Sequence, residues 1–284
     1  MPPPDAAPAC GAAGCTQRFG ETLALWSPGT GAHLVRAAVY SVWSTPQGAS
    51  LGFPVRSEYP QDGAYRTDFQ HGSLMYAPDT GRVMDVVPGV EDSALLIGDS
   101  QAGGDTWLGQ GLAQAGYPAI IRGAAGTGYV QGNATIRGYA RALETGQWLL
   151  PWGTPSLVIL QGGGNDSGRP AAEIRAGAVQ LIRDVRQSYP SARIIMVGVI
   201  GDGTGPRMEA DRVLAETARQ EGLPFLDPGD WWVRYNLNGA LRPDGRHLSA
   251  EGHSRTAPVF ARELAMLAPP RPRVHSPRPP EPAQ

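Results

Sequence analysis

The stretch Ala94-Leu95-Leu96-Ile97-Gly98-Asp99-Ser100 joins a short apolar run to a glycine, a carboxylate and a hydroxyl. A run of this length that ends at such a turn predicts a buried β-strand. From residue 91 onward, similar apolar runs alternate with helical stripes. The pattern predicts strands over 94–98, 118–121, 157–160, 194–200 and 224–226, and helices over 106–115, 135–145, 171–188, 207–221 and 249–267. Strands separated by helices in this way predict a parallel, doubly wound α/β sheet.

Polar fragments follow these predicted strands or precede the last helix. Gly98-Asp99-Ser100 ends the first strand, and Gly163-Gly164-Asn165-Asp166 comes shortly after the third. Asp244-Gly245-Arg246-His247 lies in the loop before the final helix. Because ligands bind at the carboxyl ends of the strands in such a sheet, we expect the three fragments to form one site.

The residue types in these fragments suit the attack of a serine on a carbonyl carbon. Ser100 at a strand-to-helix turn exposes its hydroxyl as a nucleophile. The spacing of Asp244 and His247 lets the carboxylate bind one ring nitrogen, which leaves the other to act as general base. The Asn165 amide is suited to donate a hydrogen bond to a tetrahedral oxyanion. An asparagine at this position is equally typical of a residue that caps a loop. Each fragment alone is also typical of an ordinary loop, so the prediction depends on all three.

Further predictions concern the surroundings of this site. Gly126, in the loop after the second strand, is expected to bring its backbone amide close to a substrate oxygen, with Gly123 as the competing candidate. Trp231 and Trp232, which precede the Asp–His loop, are candidates for substrate binding, with packing in the core as the alternative. Asp166 is expected to support its loop rather than to react.

The composition limits the classes of function. The 284 residues are 41% hydrophobic and 18% charged, with a net charge of −2, which supports a packed core and gives no basic stripe for nucleic acid. No apolar run approaches the roughly 20 residues that span a bilayer. Cys10 and Cys15 have no histidine beside them, which argues against a zinc site, and the catalytic fragments contain no thiol. The two cysteines either form a disulfide or remain free.

The N-terminal third contains a repeat with a period of 50 residues. Phe19 and Trp26 of the first copy match Phe69 and Tyr76 of the second, and each copy ends in a Pro-x-Thr-Gly turn. An apolar run closed by such a turn predicts a hairpin in each copy, with a short helix over 33–43 after the first.

Part of this region resembles a known repeat family. Leu51-Gly52-Phe53-Pro54, followed by Tyr76-Ala77-Pro78 and Thr80-Gly81, is similar to the LGFP repeat. That family occurs in exported cell-envelope proteins, mainly of actinobacteria, and is thought to attach enzymes to the cell wall. The resemblance therefore implies a wall-attachment module.

The catalytic fragments resemble a second family. Gly98-Asp99-Ser100, Gly126, Gly163-x-Asn165-Asp166 and Asp244-x-x-His247-Leu248 are similar, in this order, to the sequence blocks of the SGNH (GDSL-like) hydrolase superfamily. The resemblance implies a flavodoxin-like three-layer α/β/α domain and a Ser-His-Asp triad. It also implies an oxyanion hole formed by the amides of Ser100 and Gly126 and the side chain of Asn165, with no metal and no cofactor.

The predicted organisation is a flexible leader over 1–15, an LGFP-like module over 16–90, a hydrolase domain over 91–268 and a Pro-rich tail over 269–284. The expected function is that of a secreted serine esterase acting on acetyl or short-chain acyl esters of a cell-envelope glycan or lipid. An acyltransferase of the same fold and an inactive wall-binding protein are the alternatives. The N-terminus shows no signal-peptide pattern, so a cytoplasmic esterase is the alternative location. The sequence defines no oligomeric state.

Overall fold

The computed structural model describes residues 3–268, so the tail predicted over 269–284 lies outside the described residues. The described part contains two small antiparallel sheets, which come first in the chain, and a five-stranded parallel sheet. No helix of residues 3–268 combines the length and the apolar character that a membrane span requires.

The two antiparallel sheets correspond to the two copies of the repeat. The first sheet contains β1 (Ala9–Cys10), β2 (Cys15–Phe19), β3 (Thr22–Ser27) and β4 (Gly31–Arg36) in that order. The helices α1 (Ala37–Trp43) and α2 (Pro46–Ala49) lead to the second, formed by β5 (Tyr59–Gln61), β6 (Ala64–Phe69), β7 (Gly72–Ala77) and β8 (Arg82–Asp85). Phe19 and Phe69 close equivalent hairpins, because Phe19 pairs with Thr22 and Phe69 with Gly72.

Two predictions for this region need correction. The helix expected from residue 33 begins at Ala37, because the preceding residues pair with β3 and continue the sheet. The leader is not wholly flexible, since Cys10 pairs with Cys15 between β1 and β2 and forms a disulfide with it. The Asp5 carboxylate also accepts a hydrogen bond from the Gly20 N–H, so main-chain pairing and a cross-link order residues that composition alone predicts to be loose.

The parallel sheet and its helices follow the predicted alternation. The strands are β9 (Ala94–Gly98), β10 (Ala119–Gly123), β11 (Leu157–Gln161), β12 (Arg193–Val197) and β13 (Phe225–Leu226). The helices are α3 (Trp107–Gln114), α4 (Tyr139–Glu144), α5 (Ala171–Ser188), α6 (Arg207–Gln220), α7 (Trp231–Arg234) and α8 (Ala250–Leu267). The strand order β10-β9-β11-β12-β13 is that of flavodoxin-like folds. The fold-class prediction is therefore confirmed.

The hydrophobic core lies in two layers, one on each face of this sheet. On β9, Leu95 and Ile97 belong to the cluster that includes Leu181 of α5. Leu96, between them, belongs to the other cluster, with Phe260 of α8. Alternate residues of a strand point to opposite faces, so the continuous apolar run of β9 reflects burial on both sides.

Polar contacts join the second repeat to the parallel-sheet domain. The Arg122 guanidinium binds the Asp85 carboxylate at 2.6 Å, and the Asp85 carbonyl accepts the Trp152 N–H at 2.7 Å. Arg82 forms an ion pair with Asp184 of α5. Because these groups are largely withdrawn from water, their pairing favours one orientation of the repeat relative to the domain.

Candidate active site

Ser100 lies two residues after the end of β9, at the carboxyl edge of the sheet. The turn that holds it depends on Asp99, whose buried carboxylate accepts the Gln101 N–H at 2.9 Å. Burial raises the pKa of Asp99 to about 6. A side chain at Gly98 would place its Cβ 2.7 Å from the Cβ of Ala102, so the close approach of the turn to the strand requires glycine there.

Asn165 lies in a short 3-10 turn, Gly164–Asp166, after β11. Its side-chain amide donates a hydrogen bond to the Thr127 carbonyl at 2.9 Å. The amide carries two N–H groups and this bond uses one, so the second is available to a ligand. The turn is entered through Gly163, whose φ of +107° is unfavourable for residues with a side chain.

Asp166, beside Asn165, connects this turn to the loop after β10. Its fully buried carboxylate accepts the backbone N–H groups of Tyr129, Val130 and Gln131 at 2.9, 3.0 and 2.8 Å. The loops after β10 and β11 are therefore tied together by this carboxylate and by the Asn165–Thr127 bond.

Asp244 and His247 form a pair in the loop before α8. The Asp244 Oδ2 lies 2.9 Å from the Nδ1 of His247, while its Oδ1 accepts the N–H groups of Arg246 at 2.8 Å and His247 at 3.0 Å. The hydrogen bond from the His247 N–H, followed by that from its ring, holds the pKa of Asp244 well below its usual range. A carboxylate at Nδ1 places the proton there and leaves Nε2 as the basic nitrogen.

One cleft of about 620 Å³ brings four of the predicted residues together. It is lined by Ser100, Asn165, Asp244 and His247, and by part of the loop between β12 and α6. The structure shows no hydrogen bond between the Ser100 hydroxyl and His247 within residues 3–268. Such bonds are often loose in enzymes without substrate and tighten in the complex.

Gly126 lies in the loop after β10 with a φ of +76°, one residue before the Thr127 that Asn165 binds. It is not among the described residues that line the cleft. Gly123, the competing candidate, ends β10 and lies against the Ser100 turn, because a Cβ there would come within 2.9 Å of the Ala102 carbonyl oxygen.

Trp231 and Trp232 do not lie where substrate binding requires. Their exposed fractions are 1% and 7%, and Trp231 packs edge-on against Trp107 in the hydrophobic core. The prediction of a substrate surface at these residues is therefore replaced by the alternative, core packing. Trp107 of α3 packs in turn against Phe260 of α8, and the local sequence around Trp231 does not reveal these neighbours.

Sequence reasoning missed Arg207, the first residue of α6, which also lines the cleft. The only hydrogen bond of its side chain within the described chain is a long one, 3.4 Å, from Nη1 to the Arg246 carbonyl. The available signal was its position after the glycine-rich loop that follows β12, at the edge of the sheet where ligands bind.

Among residues 3–268, no group of three or more His, Cys, Asp or Glu side chains is arranged to hold a metal ion. The site thus consists of a serine hydroxyl, an amide donor and an Asp–His pair at the carboxyl edge of a flavodoxin-like sheet. This combination is typical of enzymes that cleave carboxylic esters.

Comparison with known proteins agrees with this class. The GDSL-like Lipase/Acylhydrolase family matches residues 89–255, and the LGFP repeat matches residues 2–50 and 51–89. A comparison with curated proteins found no match. The chain belongs to the GDSL-like lipase/acylhydrolase family, and it is a carboxylic ester hydrolase of the SGNH fold with N-terminal LGFP repeats.

Solved structures that resemble this chain have low sequence identity to it. A carbohydrate esterase family 2 enzyme with a carbohydrate-binding domain, from Corynascus thermopiles, is 16% identical and has a TM-score of 0.50, over 70% of this chain and 72% of its own. A protein from Lactobacillus plantarum is 13% identical with a TM-score of 0.50, over 62% of this chain and 97% of its own. Est24, a carbohydrate acetylesterase from Sinorhizobium meliloti, is 20% identical with a TM-score of 0.46, over 62% and 99%.

Proposed function

We propose that this esterase is exported and removes acetyl or other short acyl groups from a cell-envelope glycan, with Ser100, His247 and Asp244 as its catalytic triad. The observation that carries the proposal is the Asp244–His247 hydrogen bond of 2.9 Å in the same cleft as Ser100. An aspartate that fixes the ring of a histidine beside a serine at a strand end has the geometry needed to activate that serine.

In this mechanism, His247 takes the Ser100 proton at Nε2 while the hydroxyl oxygen attacks the ester carbonyl carbon. The bond between Ser100 Oγ and the carbonyl carbon forms, and the carbonyl oxygen becomes an oxyanion. His247 then protonates the leaving alcohol, and the acyl group remains on Ser100. A water molecule, deprotonated by the same nitrogen, attacks the acyl-enzyme and releases the carboxylic acid.

The oxyanion is stabilised by the free N–H of the Asn165 side chain and by the backbone amide of Ser100. The amide of Gly126, which lies outside the lining of the cleft in this structure, is the third donor expected from the family pattern. The bond from Asn165 to the Thr127 carbonyl supports this role, because it fixes the amide without using both of its N–H groups. A fixed donor needs little reorganisation when the charge develops, which is the basis of its contribution to the rate.

The glycan substrate and the location are supported by the N-terminal region and by one similar structure. LGFP repeats cover residues 2–89 and pack on the catalytic domain. The Cys10–Cys15 disulfide fits an oxidising, extracytoplasmic compartment. The Corynascus thermopiles enzyme of similar fold is a carbohydrate esterase, which favours a sugar as the alcohol half of the ester.

The test is hydrolysis of the para-nitrophenyl esters of acetate, butyrate and octanoate by the full chain and its Ser100→Ala variant. We expect turnover that decreases with acyl length and is lost in Ser100→Ala. Ser254→Ala is the matched control, since this serine is exposed on α8 and binds only the Ala250 carbonyl of its own helix. Full activity in Ser100→Ala contradicts the triad, and transfer of the acetyl group to an added sugar in place of water identifies an acyltransferase.

Acetate release from O-acetylated cell-wall glycan, measured with the same proteins, tests the substrate class. We expect release by the wild type and by Ser254→Ala and none by Ser100→Ala. Hydrolysis of para-nitrophenyl acetate without any release from the glycan contradicts the glycan substrate while leaving the triad intact.

A further inference from the structure

Arg207 is a half-buried arginine that lines the cleft. It has no carboxylate partner among the described residues. Four other partly buried arginines of the described chain are paired with a carboxylate: Arg36 with Glu58, Arg66 with Asp68, Arg82 with Asp184 and Arg122 with Asp85. Two more, Arg175 and Arg255, make shorter hydrogen bonds to an amide oxygen and to two main-chain carbonyls. Arg207 makes a single long hydrogen bond to a carbonyl. A guanidinium has five N–H donors, so most of its hydrogen-bonding capacity is unused.

This arrangement is costly without a ligand. Partial burial withdraws a charged group from water, and burial lowers the pKa of Arg207. The buried carboxylate of Asp99 supplies a favourable field but no ion pair within the described residues. An anion bound in the cleft would supply the missing partner.

The position of the guanidinium defines which half of an ester would carry that anion. A Cβ at residue 164 would lie 2.1 Å from Nη2 of Arg207, so the group rests on the backbone of the turn that presents Asn165. Its Nη1 points to the carbonyl of Arg246, the neighbour of His247. The guanidinium therefore borders both the turn of the oxyanion donor and the loop of His247. Since His247 protonates the leaving alcohol in the proposed mechanism, the second contact is the reason for assigning Arg207 to the alcohol half of the ester.

The charges around Arg207 favour a singly charged anion. Arg246 adds a second, exposed cation to the cleft, while Asp202 and Asp244 are its two carboxylates. Asp202 is engaged by the N–H and the hydroxyl of Thr204 at 3.0 and 2.7 Å, and Asp244 by His247. A planar carboxylate matches the donor fork of an arginine, whereas a doubly charged phosphate would meet more repulsion from the two aspartates.

We propose that Arg207 binds a carboxylate carried by the alcohol half of the substrate, so that the enzyme prefers esters of acidic sugars over esters of neutral ones. This inference rests on the esterase function proposed above. It assigns a specificity-determining role to a side chain outside the triad and the oxyanion hole.

The test compares para-acetoxybenzoate with its methyl ester, which differ in the carboxylate on the alcohol half. The measured quantity is the ratio of the two kcat/KM values, in which general effects on catalysis cancel. We expect Arg207→Gln to lower this ratio about tenfold, because the interaction lost is a charge-assisted hydrogen-bonded pair. Arg207→Lys, which keeps the charge but not the fork, is expected to recover part of it.

Arg183→Gln is the matched control, since it removes an equal charge from the exposed surface of α5, away from the cleft. The ratio should be unchanged in this variant. For the wild type the ratio should fall as sodium chloride is added, because salt screens the attraction, and it should not fall in Arg207→Gln. An equal ratio in the wild type and Arg207→Gln overturns the inference.

A binding measurement separates this inference from the esterase proposal. Calorimetric titration with para-hydroxybenzoate and its methyl ester needs no turnover. If the protein hydrolyses no ester but still binds the acid through Arg207, only the esterase proposal is contradicted. Equal affinity of the wild type for the acid and its methyl ester overturns the inference. Benzoate should also compete for this site better than inorganic phosphate, and the reverse order overturns the choice of a carboxylate.

Discussion

Replacement of Asp166 by alanine is expected to weaken the fold and the catalytic cleft together. The carboxylate accepts three backbone N–H groups, those of Tyr129, Val130 and Gln131. Substitution by alanine leaves all three donors without this partner and frees the loop after β10 from the turn that presents Asn165. Substitution by asparagine keeps one acceptor oxygen and places an NH₂ group against one or two of the donors.

The magnitude follows from these contacts. Hydrogen bonds to a charged group contribute about 1.5 kcal/mol each, so the three together give about 4–5 kcal/mol. Burial raises the pKa of Asp166, which means that desolvation of the carboxylate offsets part of this gain. We therefore expect Asp166→Ala to lower the free energy of unfolding by about 3 kcal/mol, and Asp166→Asn by about 1 kcal/mol if its oxygen takes the position that accepts two bonds.

The assay is urea unfolding at neutral pH, with para-nitrophenyl acetate hydrolysis measured on the same samples. Asp105→Ala is the control, because Asp105 is exposed and its carboxylate makes no hydrogen bond within the described residues. Stability of Asp166→Ala equal to that of the wild type would refute the reasoning. An equal loss in the alanine and asparagine variants would show that the number of bonds does not set the cost.

Three further outcomes follow from the site and the core. Asn165→Ala should lower kcat for para-nitrophenyl acetate by about 10²–10³-fold with little change in KM, and a loss in KM alone would contradict its oxyanion role. Burial raises the pKa of Asp211 to about 7, so the folded state favours the protonated carboxyl. The stability that this protonated carboxyl contributes is therefore lost as the pH rises from about 4 to about 7. Asp211→Asn should therefore reduce the fall in Tm between pH 5 and pH 8, and an unchanged fall would exclude this group as its source. Trp231→Ala should lower the free energy of unfolding by about 4 kcal/mol because it leaves a cavity in the core, whereas a folded variant of wild-type stability with a raised KM would restore a substrate role.

The sequence predicts the parallel-sheet domain well because each strand there is a compact apolar run. Both faces of β9 are buried, so the strand contains no polar residue. The apolar stripe of α5 predicts the observed first and last residues of that helix. Ser249 begins the helix predicted over 249–267, and in the structure its hydroxyl accepts the Gly252 N–H as an N-cap. Each of these features depends only on residues within one segment, so the sequence of that segment is enough to predict it.

The remaining features depend on partners distant in sequence. Residues 33–36 extend β4 because β3 is there to pair with them, and Trp231 is buried because Trp107 lies beside it. Arg207 reaches the cleft because α6 begins at the sheet edge, next to the turn at Gly164. The hydrophobic periodicity of each of these segments does not indicate which distant residues will lie next to it.

The cross-link between the loops after β10 and β11 has a consequence for how selectivity in this enzyme can evolve or be engineered. A substitution near Asn165 or Thr127 disturbs a bonded unit, so few variants there will remain active. The loop before α6 is different, because Thr204 and Pro206 are exposed and lie in a short loop outside the sheet. Libraries for altered substrate choice should therefore be concentrated on Thr204 and Pro206, outside the oxyanion donors, and should leave Gly203 and Gly205 unchanged, because their φ values of +79° and +81° disfavour a side chain.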